Sequence, residues 1–196
     1  MVVYISMDVL PFKTNPYAGV LPEPSHLPKT AKRFREQIIV SLEYWRNEGF
    51  KIVWLEIPVA RANLVAIAIK LGFTFHHATE AYLMLTYKLI PEAPSLAYAS
   101  HYVGVGGVVI NAQQELLVVR ENMRGDNPTP YKLPGGFLEP NEHVVDGVAR
   151  EVWEETGVKA KFESLVCVRH WHANRFGKSD FYFVCRLSPL SLEITP

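Results

Sequence analysis

Three glutamates carry the chemistry most open to reading in this chain. Glu151, Glu154 and Glu155 stand at i, i+3 and i+4 within the run REVWEE at 150–155, a spacing that lines three carboxylates along one face of a helix. Such a face repels itself unless cations sit on it. Hard divalent ions such as magnesium are held by clustered carboxylates, main-chain carbonyls and water, and are commonly shared with substrate phosphate oxygens. A solvated acidic helix face is the competing reading, and the trio alone does not exclude it. Arg150 lies beside the acids and is able to orient them through charge-assisted hydrogen bonds.

The elements that must position these groups are legible around them. Val145, Val148, Ala149 and Val152 recur at spacings of three and four, an apolar stripe suited to packing one side of the helix against a sheet. Gly157 fits a left-handed position after the last turn, and Gly135-Gly136 fit a loop where main chain approaches a ligand closely.

The wider spacing removes the solvated-face reading. Gly136, Glu142, Arg150, Glu151, Val152, Glu154, Glu155, Gly157 and Val158 fill every fixed position of the pattern G-x5-E-x7-R-E-U-x-E-E-x-G-U, with U aliphatic. In this the chain resembles the Nudix hydrolases. The resemblance implies that Glu151, Glu154 and Glu155 are side-chain metal ligands and Gly136 a main-chain carbonyl ligand. The three acids with Arg150 form the catalytic set, and Glu142 and Arg150 hold the loop–helix–loop together. It implies magnesium or manganese as cofactor, and cleavage of the P–O–P link in a nucleoside diphosphate joined to another group. The general base stays open between Glu154 and a carboxylate from a loop nearer the C-terminus.

Composition bounds the rest. The chain has 196 residues, 48% of them hydrophobic, enough for one large or two small packed domains. Twenty Lys plus Arg balance twenty Asp plus Glu, so no global field draws it to nucleic acid or an anionic membrane. Cys167 and Cys185 each fall in a strand-like run and read as buried reduced thiols rather than a disulfide framework. The start MVVYISMDVLPFK has no basic leader, and no 18-residue apolar window is present. The expected location is the cytoplasm or the nucleus.

Along the chain, Val2 to Ser6 reads as a short strand, and Pro11, Pro16, Pro22, Pro24 and Pro28 predict an irregular loop with little order. Thr30 caps a predicted helix running to about Glu48, with Phe34, Ile38, Leu42 and Trp45 on its apolar face. Lys51 to Ile57 predicts a strand covered on both sides. A helix with Leu64, Ile67, Ala68 and Leu71 inward follows, then strands at Phe73 to His76 and Tyr82 to Leu89. Adjacent strand side chains point to opposite faces, so His76 and His77 are not expected to share an ion; packing or hydrogen bonding is expected of them instead. The segments Tyr44–Gly49, Trp54–Pro58 and Leu71–Ala78 resemble the domain that precedes the Nudix domain in one subgroup, which includes plant ADP-ribose and NADH pyrophosphatases and the animal protein encoded antisense to basic fibroblast growth factor. Leu71-Gly72-Phe73 also resembles half of an acetyltransferase fold, but no glycine-rich pyrophosphate loop accompanies it.

The prolines of Pro91-Glu92-Ala93-Pro94-Ser95 mark a linker. The expected architecture is α/β (α+β), with a small N-terminal α/β domain at 1–95 and a Nudix domain at 96–196. The latter, by resemblance, is an α/β/α sandwich on a mixed sheet. In it, Tyr102 to Ile110 pairs with Glu115 to Arg120 across an Asn111 to Gln114 turn, 120–130 is a mobile loop, and Lys161 to His170 and Asp180 to Leu187 are strands. The family's fold continues with a further strand and helix beyond Leu192–Pro196, so the domain is expected to be truncated there or completed by a second subunit. Separately, the N-terminal domain is read as a unit that shapes a homodimer or covers the site.

Substrate selection rests outside the pattern. Arg120, Lys132, Arg169 and His172, with Arg175 and Lys178, are candidates to meet phosphate, and Phe137, Tyr131 or Trp171 to stack on a base. The subgroup resemblance favours ADP-ribose or NADH. A non-catalytic nucleotide sensor or protein-binding module is the alternative. RNA decapping ranks lower, because no basic stripe with interleaved aromatics is present for an RNA body and nucleic acid is not an expected partner.

Overall fold

The computed structural model describes residues 9–120, 130–172 and 175–195, and the chain divides into two compact units between Tyr98 and Ala99. The strand expected at 2–6 lies outside the described residues, as does most of the loop expected at 120–130.

The first unit is a five-stranded mixed sheet in the order β1-β2-β3-β5-β4. Its strands are β1 (Phe12–Asn15), β2 (Gly19–Pro22), β3 (Ile52–Pro58), β4 (Thr74–Ala78) and β5 (Tyr82–Lys88), with helices α1 (Ala31–Asn47) and α2 (Val65–Lys70). Thr30 caps α1, its hydroxyl accepting from the Arg33 N–H. Phe34, Ile38, Leu42 and Trp45 pack in one core with Val53, Leu55, Ile57 and Leu85. Trp54 and Glu56 are half-buried, so the second face of β3 is only partly covered.

Two expectations fail in this unit. The proline-rich stretch holds an antiparallel hairpin rather than a loop, β1 paired with β2 from Phe12↔Pro22 to Asn15↔Gly19. Pro16 falls in the turn, and the Asn15 side-chain oxygen accepts from the N–H groups of Tyr17 and Gly19, an Asx turn that closes the hairpin. His76 and His77 do not diverge. A bulge between Phe75 and His77 interrupts the pairing of β4 with β5, and it brings the two Nδ1 atoms to 2.7 Å. His76 also contacts the Leu96 carbonyl, and His77 the Tyr82 hydroxyl.

The second unit is a four-stranded mixed sheet, order β7-β6-β9-β8, with helix α3 (Val144–Thr156) against one face. Its strands are β6 (His101–Val109), β7 (Gly135–Phe137), β8 (Ala160–Trp171) and β9 (Ser179–Pro189). The pair β6 and β9 runs parallel, while β6 with β7 and β8 with β9 are antiparallel. Val105, Val109, Cys185 and Leu187 form the core with Val148, Val152 and Val158.

The inward stripe of α3 holds as predicted at Val148, Ala149 and Val152 and departs from prediction at Val145. Gly147, Val148, Val152 and Thr156 are buried, whereas Val145 is 44% exposed. Gly147 explains the departure: a Cβ there would strike the Leu138 side chain and the Glu142 carboxylate, so the helix rolls its small residue inward. Glu115 to Arg120 does not form a regular strand. It makes isolated bridges only, Ile110↔Leu116 just beyond the end of β6 and then Val119↔Lys132. Both cysteines are free, but Cys167 is exposed and only Cys185 is buried. Cys167 sits at one of two irregularities in the pairing of β8 with β9.

Candidate active site

The site is built where β7, the loop after it and α3 meet. Gly135 adopts φ +155 and Gly136 follows it in β7. A Cβ on Gly136 would lie 2.7 Å from both Glu151 carboxylate oxygens, so only glycine lets this acid lie against the main chain. Gly157 has φ +73 and closes α3, its N–H donating to the Trp153 carbonyl at 2.7 Å, a left-handed cap that suits glycine. Glu151, Glu154 and Glu155 therefore leave the last turns of a helix whose other side is locked into the core at Val148 and Val152.

Arg150 is the organising cation. Its Nε donates to Glu142 Oε1 at 2.7 Å and one terminal nitrogen to Glu142 Oε2 at 2.9 Å. The other terminal nitrogen donates to Glu151 at 3.0 Å and Glu154 at 2.8 Å, and a further bond reaches the Phe137 carbonyl at 3.2 Å. One planar fork thus ties the loop, the helix start and two of the three acids together, which a lysine ammonium does not reproduce. Glu142 also accepts from the Glu139 N–H at 2.9 Å. The Arg150 guanidinium and that N–H hold the Glu142 carboxyl at about 2, against an ordinary 4.5. Glu142 in turn pushes Arg150 upward, so its charge is permanent.

Glu151 feels opposite forces. Burial, the largest influence, leaves its pKa raised, and the Arg150 hydrogen bond offsets this only in part. Glu155 is held by the Gly135 N–H at 2.9 Å and by Lys132 Nζ at 3.4 Å. Within this contact set, four carboxylates (Glu142, Glu151, Glu154, Glu155) face two cations (Arg150, Lys132). Two negative charges are left over, the charge of one divalent cation. The donors are all oxygens, carboxylate and main-chain carbonyl, which is the set hard ions prefer over softer metals. Among the described residues no group of three His, Cys, Asp or Glu side chains stands at metal-binding geometry; Arg150 bridges Glu151 and Glu154, and Lys132 meets Glu155.

The predicted substrate residues divide. Lys132 lies in the site through Glu155. The Phe137 ring is 45% exposed and 5.6 Å from Tyr102, at the end of the same short strand as Gly136. Arg169 stands over the rings of Trp171 and Tyr182, at 5.3 and 5.9 Å. Lys178 lies 5.9 Å from the Tyr102 ring and donates to the Ala99 carbonyl. Arg120 stacks over Tyr131 at 5.5 Å. His172 belongs to a separate group of imidazoles: it bonds the Ser179 hydroxyl and lies 4.2 Å from the His170 ring, and His170 meets His101 at 2.9 Å. Arg175 is exposed in the short turn before β9. Sequence reasoning missed Tyr102 and Tyr182. The signal for Tyr182 was its alternation with the inward-facing Phe183 and Cys185, which places it on the sheet face opposite α3.

Comparison with known proteins gives the family. Residues 10–89 match the family described as Nudix hydrolase domain, and residues 100–193 the one described as NUDIX domain. The chain is 46% identical over 181 residues to Nudix hydrolase 8 of Arabidopsis thaliana, covering 91% of this chain and 49% of that protein. It is 43% identical over 188 residues to Nudix hydrolase 2 of the same plant, covering 95% and 67%. To nucleoside diphosphate-linked moiety X motif 6 of Homo sapiens it is 43% identical over 169 residues, covering 84% and 52%. The chain belongs to the Nudix hydrolase family. It spans between about half and two thirds of the length of these relatives. No helix among the described residues is long and apolar enough to cross a membrane.

Proposed function

We propose that the chain hydrolyses the pyrophosphate bond of a nucleoside diphosphate linked to a second group, with magnesium or manganese as cofactor and ADP-ribose or NADH as first-choice substrate. The observation that carries this reading is the Gly136–Glu151 contact beside Glu154 and Glu155. It gathers oxygen donors on a rigid helix and leaves a charge deficit of one divalent ion. Glu151, Glu154, Glu155 and the Gly136 carbonyl would hold that ion. When bound, it neutralises phosphate oxygens and lowers the pKa of a water.

The chain's own groups do the rest. Arg150 fixes Glu151 and Glu154 and partly offsets the upward push of burial on Glu151. The Gly135 N–H fixes one oxygen of Glu155. Glu154, the most exposed of the three acids, is placed to take a proton from an attacking water. Lys132 offers a cation that can exchange Glu155 for a substrate phosphate oxygen. Phe137 and Tyr102 offer ring faces for a base. The relatives named for a nucleoside diphosphate-linked moiety support the substrate class, and the plant subgroup supports ADP-ribose or NADH.

One observation favours the alternative, nucleotide binding without turnover: each of the three acids already has a cation partner. Incubation with ADP-ribose, NADH, dinucleoside polyphosphates and capped RNA separates the two. Release of two phosphorylated products from ADP-ribose, dependent on magnesium and abolished by Glu154→Gln, is the expected result. Binding of ADP-ribose without products, unchanged by Glu154→Gln, would overturn catalysis.

A further inference from the structure

The sheet face opposite α3 carries a feature that the pattern residues do not account for. Tyr182 on β9 lies beside Gly104 in the parallel register with β6, and its ring is laid across β6 rather than standing out from the sheet. A Cβ on Gly104 would lie 2.9 Å from Tyr182 Cδ2, one on Gly106 would lie 2.7 Å from Cε1, and one on Gly135 would lie 2.9 Å from the hydroxyl. Three glycines from two strands thus form a trough shaped to the phenol. The trough ends at Gly135, whose N–H fixes Glu155.

The hydroxyl is therefore delivered to the edge of the acid cluster. The ring is half-buried, and the hydroxyl is not among the buried polar atoms that lack a partner, so it is available to solvent or to a ligand. Arg169 stands over the ring. Lys132, Glu155, Arg169 and Glu151 lie close enough to act on the hydroxyl electrostatically. A neutral donor set among two cations and two carboxylates, at the rim of a site for an anhydride, can donate to a phosphate oxygen.

We infer that Tyr182 is a substrate-positioning residue, its hydroxyl donating to a phosphate oxygen of the bound diphosphate while its ring closes the floor of the site. This rests on the diphosphate reading above. Burial pushes Tyr182 up from its usual range, so the hydroxyl keeps its proton, and its donor role, across neutral pH.

Tyr182→Phe tests the hydroxyl alone, because the ring that fills the trough is retained. Two measurements are made with wild type and variant: magnesium-dependent turnover of ADP-ribose, and calorimetric binding of its non-hydrolysable α,β-methylene analogue. The loss of one charge-assisted hydrogen bond predicts an unchanged melting temperature and roughly a tenfold drop in kcat/KM and in analogue affinity. Gly106→Ala, whose Cβ would displace the phenol, is expected to show the same kinetic loss. Wild-type kinetics and affinity in Tyr182→Phe would overturn the inference and leave the ring as filler. Analogue binding without turnover in wild type would overturn the catalytic reading, and the binding comparison would still decide the role of the hydroxyl. Failure of the wild type to bind the analogue would overturn both.

Discussion

The depth at which α3 sits on the sheet is set at one contact, and that contact is open to a double-mutant cycle. Gly107 of β6 faces Val152, and a Cβ built on it would lie 2.5 Å from Val152 Cγ2 and 3.2 Å from Leu187 Cδ1. Val152 is fully buried and β-branched, so its methyl group has no free rotamer to escape into. Gly107→Ala is expected to cost about 1–3 kcal/mol through overpacking, less about 0.5–1 kcal/mol regained by removing a glycine from a strand interior. Val152→Ala removes two buried carbons, worth about 1.6 kcal/mol in transfer, and rises to about 2 kcal/mol with the cavity left behind. If the two residues acted independently, the double variant would lose roughly the sum of the two. The clash partner is absent in the double variant, however, and the new methyl fills part of the cavity. A favourable coupling of at least about 1 kcal/mol is predicted. Urea denaturation midpoints, read with fixed m-values, supply the energies. Turnover supplies the functional link, since Val152 is flanked by Glu151 and lies two residues from Glu154: Gly107→Ala should lose activity that the double variant partly recovers. Energies additive to within about 0.3–0.5 kcal/mol, or a fully active and fully stable Gly107→Ala, would refute this reasoning.

Other outcomes follow from the same contacts. Arg150→Lys keeps the charge but loses the fork, and a fall in activity of about 10–100-fold at unchanged helix content is expected, read by kinetics and circular dichroism. Glu142 is held at about 2 in the folded chain against an ordinary 4.5. The depressed value means that its contribution to stability is present above about pH 4.5 and is lost as pH falls through about 2. Glu142→Gln should therefore flatten the acid limb of a melting-temperature profile over that window, and an unaltered limb would contradict the assignment. Lys132→Ala removes a cation that competes for Glu155, so magnesium should bind more tightly while the KM for substrate rises. Opposite movement in metal calorimetry and steady-state kinetics is the check.

Much of this was legible because particular residues leave few choices. Thr30 and Gly157 mark helix ends whatever lies around them, and the nine spaced positions from Gly136 to Val158 located the acid face. What escaped depended on contacts distant in sequence or on irregular backbone. Counting prolines between 11 and 28 hid a hairpin closed by the Asn15 side chain. Strict alternation separated His76 from His77, where a bulge brings them together. Val145 carried the right apolar spacing, but Gly147 against Leu138 and Glu142 decided which way α3 rolls. Strand periodicity did not expose Cys167, which falls at an irregularity in β8. Tyr182 escaped for another reason: alternation with Phe183 and Cys185 gives its sheet face, but its placement is dictated by the absence of side chains at Gly104, Gly106 and Gly135, which only the strand register brings together.

The claim most open to direct test is that Glu151, Glu154 and Glu155, with the Gly136 carbonyl, grip a divalent ion. Manganese titration followed by electron paramagnetic resonance measures this without any substrate. The wild-type chain should take up manganese saturably, and the Glu151→Gln/Glu155→Gln double variant, shown to be folded by its melting curve, should leave the ion free in solution. Equal uptake by both proteins would contradict the account.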